Sequence, residues 1–260
     1  WPSLSRRMSD RHFGIGGDGI ILVLDSGVAD LKMRMFNADG SEGEMCGNGI
    51  RCFAKYAIER GIVPSGVESL GVETLAGIRT ILPVYDEGRV TCARVSMGRP
   101  GLHPHDLPVT LDGPSGSRGG PVTDYPFEMD GLQLPLTFVS MGNPHAVVFM
   151  EQPVAEFPLH TIGPKVEHHP MFPDRVNFEV ANLNGGGQVT ARVWERGSGE
   201  TMACGTGACA VAVATRLRGS SQGSLDITLP GGTLNIEWDG EGEVYLEGPA
   251  EEVFSGEWRE

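Results

Sequence analysis

Apolar positions along the chain follow two patterns, one typical of helices and one typical of strands. The helical pattern first appears after Cys46, where the apolar residues of one face are Ile50, Phe53, Ala54, Ala57 and Ile58. Gly61, just beyond Arg60, favours the end of this helix. A second helix is predicted over 208–217, after Cys204. Its first part is apolar on all sides, which predicts that it is buried.

Short apolar runs predict strands along the rest of the chain. These runs are Ile20–Leu24, Leu31–Phe36, Ile78–Val84, Arg89–Met97, Leu136–Val139, His145–Met150, Val176–Val180, Gln188–Trp194, Leu225–Leu229, Thr233–Trp238 and Glu243–Leu246. The sequence NGGG at 184–187 predicts a hairpin, and the segment 112–121, rich in Gly, Ser and Pro, predicts a loop. Many strands and two long helices predict an α+β fold rather than a doubly wound α/β fold.

A cysteine motif occurs twice, each time at the start of a predicted helix. The sequence GSEGEMCGNG at 40–49 is echoed by GSGETMACGTG at 197–207. The repeat predicts two related halves, each with a sheet wrapped around a central helix, and a crossing between them near 100–108. We therefore predict one domain over 1–101, completed by a returning strand at 250–260, and a second over 102–249.

Two cysteines at helix starts suit one kind of chemistry. Free N–H groups and the helix dipole at an N-terminus favour negative charge, so we expect a lowered thiol pKa at Cys46 and Cys204. One thiolate could remove a proton from a carbon while the other thiol returns a proton to the opposite face, which inverts the stereocentre. The two helix N-termini would stabilise the charge that builds up on a neighbouring carboxylate. This chemistry needs no cofactor.

Composition narrows the classes of partner and compartment. The formal net charge of −14 argues against nucleic acid and anionic membrane as partners. Five cysteines, an odd number, point away from a disulfide scaffold and toward a reducing compartment, the cytoplasm. No metal site is predicted, because the chain lacks a C-x-x-C pair. We interpret Cys52, Cys92 and Cys209 as small core residues.

Several motifs, spread in order over most of the chain, resemble one family. They are RHFGIGGDG at 11–19, FNADGSEGEMCGNG at 36–49, GNPHAVVF at 142–149, VNFEV at 176–180, WERGSGETMACGTGACA at 194–210, LPGG at 229–232 and GPAEEVFSGEW at 248–258. Together they resemble diaminopimelate epimerases. The two cysteine motifs are the specific part of this resemblance.

The resemblance implies an isomerase that interconverts LL- and meso-diaminopimelate without pyridoxal phosphate, on the route to lysine and peptidoglycan. It also implies two pseudo-symmetric domains and a homodimer. The family carries a further N-terminal strand with a glycine-rich turn and a substrate-contacting asparagine. Because this sequence begins ten residues before Arg11, we expect it to be part of a longer chain.

The resemblance also implies roles for individual residues. Cys46 and Cys204 match the two acid/base thiols. Backbone donors to the reacting carboxylate are expected at Gly47, Asn48, Gly205 and Thr206. The distal end of the substrate is expected to be held by Asn37, Asn143, Asn177, Glu195 and Arg196, and His145 is expected to support the site.

Three other functions stay open at this point. A proline or hydroxyproline racemase would also use two cysteines, although that family usually has His where Asn48 stands, and its cyclic substrate needs no clamp such as Arg196. A cysteine hydrolase would use Cys204 with His145 through an acyl intermediate and would not need Cys46. A non-catalytic amino-acid-binding protein would bind its ligand without proton exchange.

Overall fold

A computed structural model describes residues 1–111, 120–221 and 223–258, which form two compact units. One unit comprises Trp1–Ser96 and Glu247–Glu260, and the other comprises Met97–Leu246. The sequence predicts unit boundaries between residues 101 and 102 and between 249 and 250. In the structure these boundaries fall between residues 96 and 97 and between 246 and 247. Most of the predicted loop at 112–121 lies outside the described residues.

The first unit has a mixed sheet and two helices in its described part. Its elements are α1 (Pro2–Ser9), β1 (Gly19–Leu24), β2 (Leu31–Asn37), β3 (Glu42–Gly43), α2 (Gly47–Glu59), β4 (Leu70–Thr74), β5 (Gly77–Asp86) and β6 (Arg89–Ser96). The strand order is β1-β2-β4-β5-β6, with β3 paired to β2. Only the β2/β4 pair among these is parallel. Helix α2 packs on β1, β5 and β6, so its cysteine-bearing N-terminus is fixed against the sheet.

The second unit has a larger sheet. Its elements are β7 (Tyr125–Met129), β8 (Leu132–Ser140), β9 (Pro144–Phe149), α3 (Leu159–Glu167), β10 (Asn177–Gly185), β11 (Gln188–Glu195), β12 (Gly199–Glu200), α4 (Gly205–Leu217), β13 (Leu225–Leu229) and β14 (Gly232–Glu237), with short 3₁₀ turns at Pro104–Asp106 and Val154–Glu156. The strand order is β14-β13-β11-β10-β9-β8-β7, with β12 paired to β11. A last strand, β15 (Tyr245–Pro249), continues across the second unit boundary. The returning strand predicted at 250–260 therefore lies earlier in the chain, and residues 250–258 form no strand.

Helix α4 is the centre of the second unit. It packs on β8, β9, β10, β11, β13 and β14, and its residues from Ala208 to Thr215 are all buried. The prediction of a buried second helix is therefore confirmed. The α+β class is also confirmed, since the described sheets are mostly antiparallel and the helices are few. The predicted hairpin at 184–187 joins β10 to β11 as an antiparallel pair.

The structure corrects several predictions. Helices α1 and α3 and strands β4 and β7 were not predicted. Helix α3 follows Pro158 and contains Pro164, residues that normally indicate a break. Cys209 is buried, but Cys52 is exposed and Cys92 is only half-buried. Cys52 is not a core residue because its face of α2 borders an open groove lined by Tyr56 and the segment 251–257.

No helix in the described ranges is long and apolar enough to cross a membrane. The same residues contain no group of three His, Cys, Asp or Glu side chains placed to hold a metal ion.

Candidate active site

Cys46 is the N-cap residue of α2. Its backbone is extended (φ −131°, ψ 117°), and its Sγ accepts a hydrogen bond of 3.4 Å from the backbone N–H of Gly49. A Cβ at Gly49 would lie 2.3 Å from Cδ1 of Ile21, so a glycine here lets the first helical turn approach β1 closely. The half-buried thiol thus sits at the backbone N–H groups of a helix start.

A buried arginine holds this turn, and the sequence analysis missed it. Arg51 is 6% exposed. Its guanidinium donates to the carbonyl oxygen of Gly47 (2.8 Å), to Oδ1 of Asn48 (3.2 Å) and to the carbonyl oxygen of Pro249 (3.2 Å). The signal in the sequence is an arginine inside the apolar face of a helix, four residues after Gly47. Arg51 fixes the orientation of the two residues that follow Cys46.

Cys204 occupies the matching place in α4. It is the N-cap, again extended (φ −119°, ψ 114°), and its Sγ accepts a 3.3 Å hydrogen bond from the N–H of Gly207. The hydroxyl of Thr206 lies 3.4 Å from the same sulfur. Unlike Cys46, Cys204 is buried, with 6% of its surface exposed. The two cysteine motifs therefore produce the same local geometry, each within its own unit.

The expectation of a lowered thiol pKa is wrong for Cys204. Burial raises the pKa of Cys204 well above its usual range, and the carboxylates of Glu195 and Glu179 raise it further. Hydrogen bonds from Thr206 and Gly207 act in the opposite direction but are the weaker influence. The helix start is overridden because burial and nearby carboxylates both disfavour a thiolate. Cys204 therefore rests as a thiol, the form that donates a proton.

A continuous series of side chains leads away from the Cys204 sulfur. Nδ2 of Asn143 donates to Oγ1 of Thr206 (3.3 Å), and Oδ1 of Asn143 lies 3.0 Å from Nε2 of His145. Nδ1 of His145 lies 2.7 Å from Oε1 of Glu179. His145 is completely buried and both of its ring nitrogens have partners. Hydrogen bonds through Asn143 and Thr206 thus connect His145 to the Cys204 sulfur.

Asn177 joins the other predicted residues of this unit. Its Oδ1 accepts from the backbone N–H of Arg196 (2.9 Å), and its Nδ2 donates to the carbonyl oxygen of Pro144 (2.9 Å). The start of β9 is thereby tied to the end of β11. Glu195 accepts a hydrogen bond from the hydroxyl of Thr201, while the exposed Arg196 donates to the carbonyl oxygen of Asp174 (3.0 Å). Asn177 is buried, and both atoms of its amide bind backbone groups.

A second buried carboxylate accepts hydrogen bonds from the end of β11 and from the turn that follows it. Glu167, at the end of α3, accepts from the indole N–H of Trp194 (2.8 Å) and from the backbone N–H of Gly197 (2.9 Å). Neither Glu167 nor Glu179 was predicted from the sequence. For Glu179 the available signal was a charged residue inside the otherwise apolar run of β10.

The structure thus groups the predicted residues by unit. Asn37 ends β2 in the first unit, where its Nδ2 donates to Oγ of Ser41 (3.0 Å). That unit contains Cys46, Gly47, Asn48 and Asn37. The second unit brings together Cys204, Gly205, Thr206, Asn143, His145, Asn177, Glu195 and Arg196. Each group consists of a helix N-terminus with a cysteine and polar side chains at strand ends, which is an arrangement suited to binding a carboxylate and moving a proton.

Solved structures define the fold class. A probable proline racemase from Agrobacterium radiobacter superimposes with a TM-score of 0.66, at 17% identity, over 95% of this chain and 78% of that one. A PhzF-family phenazine biosynthesis protein from Bacillus anthracis superimposes with a TM-score of 0.65, at 19% identity, over 96% of this chain and 86% of that one. The chain therefore shares its fold with a probable racemase and with a phenazine biosynthesis protein.

Sequence relatives identify the family. The diaminopimelate epimerase family model matches residues 2–102 and 137–253. Diaminopimelate epimerase of Moorella thermoacetica is 51% identical over 258 residues, covering 99% of this chain and 89% of the relative. Diaminopimelate epimerase of Desulfovibrio desulfuricans is 48% identical over 256 residues, which cover 98% of this chain and 88% of the relative. The chain belongs to the diaminopimelate epimerase family, whose members are isomerases.

Proposed function

We propose that this protein interconverts LL- and meso-diaminopimelate by a two-base mechanism that needs no cofactor. The observation that carries the proposal is the matched pair of N-capping cysteines, each with its sulfur against the first turn of a helix. Membership of the diaminopimelate epimerase family supports the choice of substrate.

The reaction moves one proton on each face of the α-carbon. In one direction Cys46, as a thiolate, removes the α-proton, and the electrons of the broken C–H bond pass to the substrate carboxylate. Cys204, a thiol at rest, then donates its proton to the opposite face of the same carbon. In the reverse direction the two cysteines exchange roles. The raised pKa of Cys204 suits a proton donor.

Backbone N–H groups would stabilise the developing negative charge. The first turns of α2 and α4 place the backbone N–H groups of Gly47, Asn48, Gly205 and Thr206 at the helix N-termini. These donors lie in the first turn of each helix, where the macrodipole also favours an anion.

Polar side chains at strand ends would hold the distal end of the substrate. We assign this role to Asn37, Asn143, Asn177, Glu195 and Arg196. A guanidinium such as that of Arg196 can pair with a carboxylate through two hydrogen bonds. Glu195 and the amide oxygens can accept hydrogen bonds from an ammonium group. His145 supports this set of residues through its hydrogen bond with Asn143.

We also propose that the protein acts as a homodimer in the cytoplasm, in lysine and peptidoglycan precursor synthesis. All five cysteines are free, in keeping with a reducing compartment. Light scattering of the eluting protein measures the mass: twice 27.8 kDa supports the dimer, and the mass of one chain contradicts it.

The test is conversion of LL-diaminopimelate in the presence of reductant and without added cofactor. We would assay this chain and a chain that carries the further N-terminal segment expected from the family. Appearance of the meso isomer, resolved by chiral chromatography, supports the proposal. Failure of both folded proteins to convert LL-diaminopimelate contradicts it.

Cysteine variants test the assigned roles. Cys46→Ser and Cys204→Ser should each lower kcat by roughly 10²- to 10⁴-fold, the usual contribution of a positioned acid or base, with little change in melting temperature. Cys52→Ser, at an exposed position of α2, is the matched control and should keep full activity. Full activity of Cys46→Ser would instead favour a hydrolase that uses Cys204 alone.

A further inference from the structure

With the amide of Asn143 oriented as in this structure, the hydrogen bonds that end at Cys204 share one direction. Asn143 donates through Nδ2 to Thr206, so its Oδ1 must accept, and the partner of Oδ1 is Nε2 of His145. Nε2 therefore carries a proton. Because the Thr206 oxygen already accepts from Asn143, its own hydroxyl proton is directed at the sulfur of Cys204 when that sulfur is ionised.

The series begins at a carboxyl group that the proposed mechanism does not otherwise use. The Glu179 side chain is 1% exposed, and burial raises the pKa of Glu179 while His145 lowers it. Its Oε1 faces Nδ1 of His145, and its Oε2 has no hydrogen-bond partner among the described residues. A Cβ at Gly207 would lie 2.9 Å from Oε1. The carboxyl group is therefore packed directly against the first turn of α4.

We propose that Glu179 is a positioning residue that sets the direction of these hydrogen bonds, so that Thr206 donates to the Cys204 sulfur. Glu179 and Nδ1 of His145 share one proton, which leaves the second proton of the pair on Nε2. The role rests on the proposed function only in that Cys204 is taken as the acid/base group.

The alternative direction shows why a shared proton matters. If Glu179 were ionised beside a neutral ring, the ring proton would lie on Nδ1 and Nε2 would be bare. Asn143 would then turn its amide to donate to Nε2, and Thr206 would donate to Oδ1 of Asn143. The Cys204 sulfur would lose one of its two donors and keep only the N–H of Gly207.

Net charge near the sulfur is also limited by this arrangement. A Glu179–His145 pair that holds the shared proton is neutral as a whole. Glu195 on β11 also faces Cys204 and raises the thiol pKa. A deprotonated pair would add a second negative charge, which would oppose the thiolate further.

The first test measures which ring nitrogens of His145 carry a proton, by ¹⁵N NMR of the unmodified chain without substrate. Histidine labelled with ¹⁵N is assigned by comparison with a His145→Gln variant. We expect a proton on Nε2 and a protonated or proton-sharing Nδ1. A bare Nε2 together with a protonated Nδ1 would overturn the proposal.

The second test measures Cys204 alkylation by iodoacetamide at neutral pH, by mass spectrometry, relative to the exposed Cys52. Glu179→Gln can still donate an N–H to Nδ1 and should keep the wild-type rate within about twofold. Glu179→Met leaves the ring without this partner. We expect its rate to fall roughly tenfold, the lower end of the effect of losing a hydrogen bond to a charged group.

The sign of the change separates positioning from loosened packing. A looser core would expose the buried thiol and speed alkylation, whereas a less stable thiolate slows it. An unchanged or faster rate in Glu179→Met overturns the proposal. If Glu179→Met does not fold, the protonation of the His145 ring and the alkylation rate of Glu179→Gln decide whether the proposal holds. Since neither test contains diaminopimelate, a failure here is distinct from a failure of the proposed reaction.

Discussion

Replacing Gly207 with alanine tests how tightly the first turn of α4 is packed on Glu179. The added Cβ would lie 2.9 Å from Oε1 of Glu179, 3.2 Å from Cβ of Cys204 and 3.3 Å from its Sγ. Glu179 has little room to move, because its carboxyl group is buried and bound to His145. Alanine in place of a helical glycine would otherwise stabilise by about 1 kcal/mol, while overpacking of a core costs about 1–3 kcal/mol.

Gly49→Ala in α2 is the matched control, because Gly49 follows Cys46 by the same three residues. There the new Cβ meets Cδ1 of Ile21 at 2.3 Å, but this atom is the end of a side chain that can rotate away. We therefore expect Gly207→Ala to be less stable than Gly49→Ala by about 1–2 kcal/mol. At about 2–4 °C per kcal/mol for a unit of this size, the melting temperatures should differ by several degrees.

Differential scanning calorimetry of the two variants and the wild type provides the measurement. Equal melting temperatures for Gly207→Ala and Gly49→Ala would refute the reasoning. They would mean that Glu179 yields easily, and hence that it does not hold a fixed position beneath the cysteine turn.

The remaining predictions concern stability. Arg51→Met should lower the free energy of unfolding of the first unit by about 2–4 kcal/mol, because a buried side chain loses three hydrogen bonds. Calorimetry checks this, and an unchanged transition would contradict it. Glu167→Leu should cost a similar amount in the second unit, since two N–H groups lose their acceptor. Hydrogen bonds from Lys32 and Ser26 hold the pKa of Glu73 below its ordinary value of 4.5, so stability should fall as the pH drops below about 4.5 and through that lowered pKa. Glu73→Gln should weaken this dependence in acid denaturation, and an identical curve would show that the group is not linked to folding.

Local patterns were sufficient to predict the elements that carry the cysteines. The apolar spacing after Cys46 and Cys204 identifies α2 and α4, and Gly61 (φ +68°) ends α2 as expected. The NGGG turn likewise identifies the β10/β11 hairpin. These predictions succeed because a helix start, a cap and a tight turn are determined by residues within a few positions of one another.

Features that depend on distant residues could not be predicted. Helix α3 forms despite Pro164 because its apolar face packs on β10 and β11. The raised pKa of Cys204 results from burial and from Glu195, not from the helix start alone. The exposure of Cys52 likewise depends on which strands cover α2. Each is a property of tertiary packing, to which a single sequence gives little access.

Deuterium position in the first turnovers tests the central claim most directly. The protein is incubated with LL-diaminopimelate in D₂O, and both isomers are isolated at low conversion for mass spectrometry. Two separate thiols predict one deuterium at the inverted α-carbon of the meso product, and none in the remaining LL substrate. Product that retains the original protium, or equal labelling of both isomers from the start, would contradict a mechanism in which one cysteine removes the proton and the other supplies it.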